Sequence, residues 1–263
     1  MQKKYDKIVS LFSECHDSRQ VLLTKDLLSK ILYVDEDTRS NLYIKMADYI
    51  TGIYDKKTVI SSLTVDSSAD SGPGVVNDLK TFLYMKGISS INNVTRLSDL
   101  YRKMKNRKYP RCTKLVMVDE FCGSGQTIDG RIRLIKEKRP NITEIHVCIM
   151  AGMKYSLSRL SVAHPDVNFY FASVLKRGIL EYFSGDELIS NIQTMIHMER
   201  CLSPVVNEKS LENYSFGYGD AQALIAFSGY RNIPNSVFPW FWWPENHLSQ
   251  KRNQMFVRYE NGI

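Results

Sequence analysis

The feature that most constrains the fold of this 263-residue chain is an alternation of short apolar runs and helical patterns that begins near residue 58. The runs at 114–119 and 144–151 are almost continuously apolar, which is typical of strands buried on both faces of a sheet. Segments with helical periodicity follow them at 126–138 and 154–163. This order predicts an α/β fold in which helices flank a parallel sheet.

The same patterns predict the other elements of this region. We expect strands at 58–63, 167–175 and 223–227, and helices at 75–86 and 186–200. The predicted strand–helix order thus continues to about residue 230.

Residues 1–57 have a different character, because apolar residues recur there every three to four positions without strand-like runs. One helix is expected around residues 22–32 and a second at about 38–54. The sequence therefore predicts a helical N-terminal extension over 1–57 and an α/β domain over 58–263. The last part of that domain, 229–263, forms a C-terminal aromatic segment.

The composition is that of a globular protein, with 43% hydrophobic and 24% charged residues, and excludes wholesale disorder. No apolar run approaches the roughly 18 residues that a membrane span needs. The N-terminus has no apolar signal core, so the expected location is the cytoplasm. The five cysteines are scattered without a CxxC pair, so no zinc site is predicted.

The net charge of +7 favours anionic partners such as nucleotides, phosphates or nucleic acid. It is also compatible with a merely basic surface. The stretch 102–111 (RKMKNRKYPR) concentrates this charge. Three interpretations remain open for it: a solvated helix end, a contact for pyrophosphate, or a contact for an RNA or DNA backbone.

The segment 114–128 (KLVMVDEFCGSGQTI) combines a buried strand, two acids and a small-residue turn before a helix. Ligands of open α/β sheets bind at the carboxyl ends of the strands, where Asp119 and Glu120 fall. Glycines let backbone N–H groups approach a phosphate, and the helix N-terminus adds a positive dipole end. The predicted phosphate-binding residues are Gly123, Ser124, Gly125, Gln126 and Thr127. Two acids beside such a loop suit a ribose diol, so the segment predicts a ribose 5-phosphate site.

This segment resembles the PRPP-binding motif of type I phosphoribosyltransferases, which has four apolar residues, two acids and a loop that ends in threonine. The resemblance implies that Asp119 and Glu120 are the catalytic acids and bind the ribose hydroxyls. It also implies that 123–127 holds the 5-phosphate, and that Mg²⁺ accompanies PRPP or a nucleotide as cofactor. In this family the reaction displaces pyrophosphate from PRPP through an oxocarbenium-like centre.

Two departures from the family pattern bear on activity. The 6-oxopurine enzymes have an aspartate base where this chain has Gly123, which argues against hypoxanthine–guanine salvage. The place of the family's pyrophosphate loop is 66–74 (DSSADSGPG), which contains no arginine or lysine. Pyrophosphate would therefore need Mg²⁺ there. The candidate residues of this loop are Ser67, Ser68, Asp70, Ser71 and Gly72.

The segment 232–244 (NIPNSVFPWFWWP) is rich in proline and aromatic residues, which excludes it from helices and central strands. Two interpretations are open. Trp240 and Trp242 could stack on a nucleobase, as part of the hood that covers the base in phosphoribosyltransferases. Alternatively, the aromatic residues dock this segment onto the rest of the protein.

The same segment carries a second resemblance. Its pattern, carried by Asn232, Pro234, Asn235, Ser236 and Pro239 with a tryptophan, is similar to the tails of phosphoribosyltransferase-like proteins from bacterial conflict islands. Some of those proteins accompany retron reverse transcriptases. The resemblance implies a role in antiviral defence, with a protein or nucleic-acid partner.

The sequence thus leaves three functions open. The first is an enzyme that transfers or removes a phosphoribosyl group. The second is a module that senses a nucleotide or holds a partner without turnover. The third is a nucleic-acid-associated protein. No membrane partner is expected, and an oligomer is compatible with all three functions.

Overall fold

The protein is described by a computed structural model, which covers residues 2–64, 72–100, 112–139, 141–229 and 232–259. The chain divides into two compact units. The first, which we call the sheet unit, comprises Asp37–Val174. The second, which we call the terminal unit, comprises Met1–Glu36 and Leu175–Ile263. The predicted boundary after residue 57 does not coincide with these divisions, because most of the second N-terminal helix belongs to the sheet unit.

The described residues form helices and strands that are numbered in chain order. The helices are α1 (Gln2–Ser13), α2 (Ser18–Ser29), α3 (Glu36–Ile53), α4 (Gly72–Met85), α5 (Gln126–Lys138), α6 (Lys154–Ala163) and α7 (Gly185–Arg200). The strands are β1 (Leu32–Val34), β2 (Thr58–Ser62), β3 (Asn93–Val94), β4 (Lys114–Cys122), β5 (Glu144–Met153), β6 (Val167–Phe171), β7 (Val174–Leu175), β8 (Val205–Val206), β9 (Lys209–Ser210) and β10 (Ile225–Phe227).

The sheet unit contains a mostly parallel six-stranded sheet, which confirms the predicted fold class. Among the described residues the strand order is β3-β2-β4-β5-β6, with β7 also pairing with β5. The pairs along this order are parallel, and the register aligns Ser62 with Val118 and Asp119 with Ile149. The carboxyl ends of β2, β4 and β5 therefore lie side by side at one edge of the sheet.

One face of the sheet packs against α5 and α6. Leu115 and Met117 of β4 belong to a buried cluster with Ile128 and Ile132 of α5 and Leu160 of α6. Because side chains alternate along a strand, Asp119 points to this same face. We call it the α5 face.

The opposite face of the sheet packs against α3, and we call it the α3 face. The Tyr49 hydroxyl lies 2.7 Å from His146 Nδ1, and the Tyr49 ring stacks on Tyr170 with centroids 4.4 Å apart. His146 is paired with Val116 in the sheet, so Val116, Val118 and Glu120 point to this face. Burial raises the pKa of Tyr49 to about 12, so its hydroxyl stays neutral.

The predicted elements agree closely with the structure where the periodicity is long. Helices α5 and α6 have the predicted bounds, residue for residue. The predicted strand over 167–175 is two strands, β6 and β7, because a bend at residues 172–173 interrupts it. The predicted loop 66–74 ends earlier than expected, because α4 already begins at Gly72.

The terminal unit corrects one prediction. The sequence pattern places the strand expected at 223–227 in the series of main-sheet strands, but β10 pairs in parallel with β1 in a separate two-stranded sheet. The Leu32 N–H donates to the Leu224 carbonyl at 3.0 Å, and the Ser228 N–H donates to the Val34 carbonyl at 3.0 Å. The apolar sequence of such a short strand indicates that the strand is buried, but it does not indicate which strand it pairs with.

The aromatic C-terminal segment forms part of the core of the terminal unit. Trp240, Trp242 and Trp243 are 1%, 4% and 2% exposed. The Arg252 guanidinium donates to the carbonyls of Trp240 and Trp243 at 2.9 and 2.8 Å, and its Nε donates to Glu14 at 2.6 Å. Arg252 therefore joins the segment of the buried indoles to Glu14, the residue that follows the first helix of the same unit.

A buried carboxyl group in the terminal unit predicts a pH-dependent stability. Glu199 accepts hydrogen bonds from the Ser215 hydroxyl at 2.5 Å and the Phe216 N–H at 3.0 Å. Burial raises its pKa from 4.5 to about 7. Between these two values the unfolded chain holds fewer protons than the folded chain, so the free energy of unfolding decreases as pH rises.

We therefore expect Glu199→Gln, which stays neutral, to stabilise the protein at high pH. The variant should match the wild type near pH 4.5 and exceed it by about 3 kcal/mol at pH 8. Urea unfolding of both proteins across this range measures the difference. A difference that is constant with pH would contradict the raised pKa.

No helix within the described ranges has both the length and the apolar character that crossing a bilayer requires.

Candidate functional site

The two acids of the motif end up on opposite faces of β4. Asp119 is partly exposed on the α5 face, and its Oδ1 accepts the Glu120 backbone N–H at 2.7 Å. Glu120 points to the α3 face and is 6% exposed. Both lie near the carboxyl end of the strand, so the acid pair has the predicted position but its members have different surroundings.

Glu120 forms a buried ion pair with an arginine from a distant part of the sequence. The Arg39 Nη1 donates to Glu120 Oε1 at 2.7 Å, and both side chains are more than nine-tenths buried. Arg39 lies in the first turns of α3, 81 residues before Glu120. A buried ion pair is costly to break, so the two groups hold each other in place.

The turn between β4 and α5 has the geometry that an anion-binding loop needs. Gly125 caps α5 with φ +77° and ψ 2°, a left-handed conformation that glycine adopts without strain. The Gln126 N–H lies 3.5 Å from the Ser124 hydroxyl, and Gln126 and Thr127 are exposed. The N–H groups of the first turn of α5 have no carbonyl partner within the helix, which makes this helix end a candidate anion site.

Helix α6 supports this loop from the side. The Arg159 guanidinium donates to the Ser124 carbonyl. A Cβ placed on Gly125 would lie 3.1 Å from Leu160 Cδ1 and 3.4 Å from Ser156 Cβ. The loop is thus held in one conformation, and Arg159 brings a positive charge to its edge.

The other ionisable groups around the loop have structural partners. Burial raises the pKa of the Cys122 thiol to about 11, and its Sγ lies 3.4 Å from the Ser156 hydroxyl. A thiol with this pKa is a poor nucleophile near neutral pH. Asp129 of α5 lies 2.7 Å from His164 Nε2, and this hydrogen bond lowers its pKa.

Only the C-terminal end of the predicted pyrophosphate loop 66–74 lies among the described residues. Ser67, Ser68, Asp70 and Ser71 lie outside the described residues. Gly72 is the first residue of α4, and a Cβ there would lie 2.7 Å from Thr64 Oγ1 and 2.9 Å from Ser62 Cβ. Gly72 therefore lies against Ser62 and Thr64 at the carboxyl end of β2, the strand next to β4. The basic stretch 102–111 also lies outside the described residues.

Trp240 and Trp242, predicted as partners for a nucleobase, are covered by protein in the terminal unit. The Trp242 Nε1 donates to the Val237 carbonyl at 2.9 Å, and Trp242 meets Tyr214 edge-on with centroids 5.7 Å apart. This burial favours the alternative that the aromatic residues dock the segment. Base stacking stays a prediction, and it requires an indole face to become exposed.

Sequence reasoning missed Arg39 and Arg159. The signal for Arg39 was present, because it falls on the same helical face as the buried Leu42, Met46 and Ile50. An arginine on an otherwise apolar face predicts a buried anion as its partner. Arg159 gave no such signal, because it is an exposed residue whose contact with the loop follows only from the packing of α6.

No group of three or more histidine, cysteine, aspartate and glutamate side chains could hold a metal ion in the part of the chain that the structure describes. A magnesium ion can instead be held by one or two carboxylates together with ligand phosphates. Asp119 offers one such carboxylate, so the predicted Mg²⁺ stays a prediction that depends on the ligand.

Comparison with known proteins gives a family. A family model described as PRTase-CE matches residues 12–258. A search of curated proteins found no match. Among solved structures, a hypothetical protein from Neisseria gonorrhoeae with bound ppGpp is similar with a TM-score of 0.36 and 11% identity, over 56% of this chain and 85% of that chain. A TM-score this low carries no argument about the ligand of this chain.

Proposed function

Because this chain belongs to the PRTase-CE family of phosphoribosyltransferase-like proteins, we propose that it binds a phosphoribosyl compound at the carboxyl end of β4. The proposed ligand is PRPP or a nucleotide that carries a ribose 5-phosphate. The observation that carries the proposal is the left-handed Gly125 turn, which leads from β4, the strand of Asp119, into the N-terminus of α5. This ligand suits a site that combines the end of a strand, an acid, a tight turn and a helix N-terminus.

In this proposal the loop holds the 5-phosphate. The backbone N–H groups of residues 124–127 and the hydroxyl of Thr127 donate to its oxygens. Gly125 allows the close approach, and the positive end of the α5 dipole favours the charge. Arg159 adds a second positive charge at the loop edge, where it orients the Ser124 carbonyl away from the ligand.

The ribose would lie against Asp119, whose partly exposed carboxylate can accept hydrogen bonds from sugar hydroxyls. Mg²⁺ would be bound by the ligand pyrophosphate and by this carboxylate, and it would neutralise the leaving-group charge in a transfer reaction. The protein groups would fix the sugar ring and keep the anomeric carbon aligned with an acceptor.

The proposed activity is displacement of pyrophosphate from PRPP by an acceptor. A non-catalytic sensing module is the second candidate, and two features of the site favour it. Gly123 has no side chain to move a proton, and Glu120 is held by Arg39 in a buried ion pair. Both candidates share the same ligand site and differ only in turnover.

We further propose that the protein acts in a bacterial antiviral defence system, of the kind that accompanies retrons. The support is the similarity of the tail around Asn232 to the tails of such proteins. In this chain Asn232 has a structural role, since its side chain exchanges hydrogen bonds with the Tyr259 backbone. Loss of phage protection when the gene is deleted from its native host, with restoration by the intact gene, would test this role.

Calorimetric titration of PRPP in the presence of Mg²⁺ tests ligand binding. We expect micromolar affinity for PRPP, weaker binding of ribose 5-phosphate, and no binding of ribose at the same concentrations. Asp119→Asn should weaken PRPP binding by about tenfold or more, because it removes a charged acceptor. Asp166→Asn is its matched control, because Asp166 is an exposed carboxylate whose ion pair with Lys136 lies outside the proposed site. This control should bind PRPP like the wild type, and the absence of PRPP binding by the wild type would refute the proposal.

Release of pyrophosphate separates the two candidates. An enzyme should release pyrophosphate from PRPP when an acceptor base from a panel is added, whereas a sensing module should bind PRPP without releasing it. Pyrophosphate can be measured with a coupled phosphate assay, with PRPP alone as the blank.

A further inference from the structure

An arginine of α5 reaches the end of the strand next to β4. The Arg131 Nε donates to the Leu63 carbonyl at 3.2 Å, and Leu63 is the first residue after β2. Arg131 lies five residues after Gln126, the first residue of α5, which is about 7.5 Å along the helix axis. Because helical side chains lean toward the N-terminus of their helix, the guanidinium returns to the sheet edge from which α5 starts.

The register of the sheet places this contact beside the proposed ribose site. Ser62 of β2 pairs with Val118 of β4, so the next residue, Leu63, lies level with Asp119 on the adjacent strand. Adjacent strands are about 4.8 Å apart. The Arg131 guanidinium is therefore bound at the strand next to Asp119 and at the same level of the sheet.

The Arg131 guanidinium keeps donors that its contact with Leu63 does not use. An arginine has five N–H groups, and Leu63 accepts one of them. Among the described residues Arg131 has no second partner, and its half-buried side chain leaves both Nη atoms accessible. Arg131 is thus anchored through Nε, while its Nη1 and Nη2 groups can bind an anion through two hydrogen bonds.

The segment predicted to receive pyrophosphate lacks such a cation. Residues 66–74 include two aspartates but no arginine or lysine. The segment begins three residues after Leu63, and Gly72 near its end lies against Ser62 and Thr64. A protein cation at this place has to come from another element, and α5 directs Arg131 to the end of β2 where the segment leaves the sheet.

We propose that Arg131 binds the pyrophosphate group of PRPP. The inference rests on the proposed function, and it names PRPP rather than a nucleoside monophosphate as the preferred ligand. Helix α5 then serves both ends of the ligand, because its N-terminal N–H groups hold the 5-phosphate and Arg131 in its second turn holds the pyrophosphate. The ribose lies between them against Asp119. The planar guanidinium matches the spacing of phosphate oxygens, and such charge-assisted hydrogen bonds are stronger than neutral ones.

Calorimetric titrations of Arg131→Gln with PRPP and with ribose 5-phosphate, both in the presence of Mg²⁺, test the inference. We expect about tenfold weaker binding of PRPP, because the variant removes a charged pair of donors. Binding of ribose 5-phosphate should stay within about twofold of the wild type, because this ligand has no pyrophosphate. The preference for PRPP over ribose 5-phosphate therefore falls about tenfold.

Arg133→Gln is the matched control, because it removes the same charge from the same helix. Arg133 is 70% exposed, and its Nε donates to Asp129 of α5 at 3.1 Å. This variant should bind both ligands within about twofold of the wild type. If it loses PRPP affinity as strongly as Arg131→Gln, the net charge of α5 and not a contact with pyrophosphate determines the affinity, and the inference is overturned.

The ribose 5-phosphate titration separates a contact with the ligand from a structural role. If Arg131 serves only to fasten the end of β2, its loss disturbs the whole site, and Arg131→Gln loses both ligands equally. That result, or unchanged PRPP affinity of the folded variant, would overturn the inference. Should Arg131→Gln unfold in thermal scans, Arg131→Lys decides instead. It keeps a charge without the paired donors, so it should lose about threefold for PRPP and nothing for ribose 5-phosphate.

The wild-type titrations distinguish failure of the inference from failure of the proposed function. If the wild type binds neither ligand, the proposed function fails and the inference fails with it. If it binds both ligands with equal affinity, the phosphate site stands and the pyrophosphate contact is wrong. If it prefers PRPP and Arg131→Gln keeps that preference, only the role of Arg131 is wrong.

Discussion

Replacing Gly125 with alanine is expected to weaken PRPP binding by about tenfold or more, which corresponds to about 1.4 kcal/mol of binding free energy. Gly125 adopts φ +77°, where an alanine costs about 1–2 kcal/mol of strain. The new Cβ would also lie 3.1 Å from Leu160 Cδ1. Both effects displace the backbone N–H groups at the N-terminus of α5, which we propose bind the 5-phosphate.

Gly130→Ala is the matched control for this prediction. Gly130 lies in α5, the helix that Gly125 caps, and a Cβ there would have nothing within 4 Å. Alanine also has a higher helix propensity than glycine. Its PRPP affinity should equal that of the wild type, and its melting temperature should equal or exceed it. Calorimetry measures the affinity and thermal unfolding shows whether each variant is folded. Equal PRPP affinity of folded Gly125→Ala and Gly130→Ala would exclude the loop from the ligand site.

The largest loss of stability is expected for Gly217→Ala in the terminal unit. Gly217 has φ +80°, and a Cβ would lie 2.0 Å from the Ser236 carbonyl oxygen and 2.6 Å from its carbon. The conflict is with backbone, which cannot rotate away as a side chain can. Strain and displacement of the 235–236 segment together predict destabilisation by about 3 kcal/mol or more.

Gly185→Ala separates the two causes of this loss. Gly185 also has a positive φ of +56°, but nothing lies within 4 Å of its Cβ position. This variant should therefore lose only the conformational part, about 1 kcal/mol. Urea unfolding of both variants gives the comparison. Similar losses for the two variants would mean that the contact with Ser236 is not the dominant cause.

The sequence predicts much of the sheet unit because its elements carry long and consistent patterns. The apolar run of β4 and the periodicity of α5 and α6 predict buried strands and helices without reference to the rest of the chain. The candidate loop is equally local, since the strand, the turn and the helix that form it are consecutive in sequence. Local patterns of this kind are read directly from residue spacing.

The parts that the sequence does not predict depend on contacts between distant residues. The pairing of β10 with β1 joins positions that are far apart in the sequence, such as Leu32 and Ile225. The ion pair of Arg39 and Glu120 likewise spans 81 residues. Neither partner can be named from spacing alone, although the arginine on the apolar face of α3 indicates that one exists.

A crystal structure of the protein with PRPP and Mg²⁺ would show whether a phosphoribosyl ligand binds at the turn between β4 and α5. We expect the 5-phosphate against the backbone N–H groups of residues 124–127 and the ribose hydroxyls on Asp119. PRPP bound at another place, or with its phosphate away from the N-terminus of α5, would contradict this expectation.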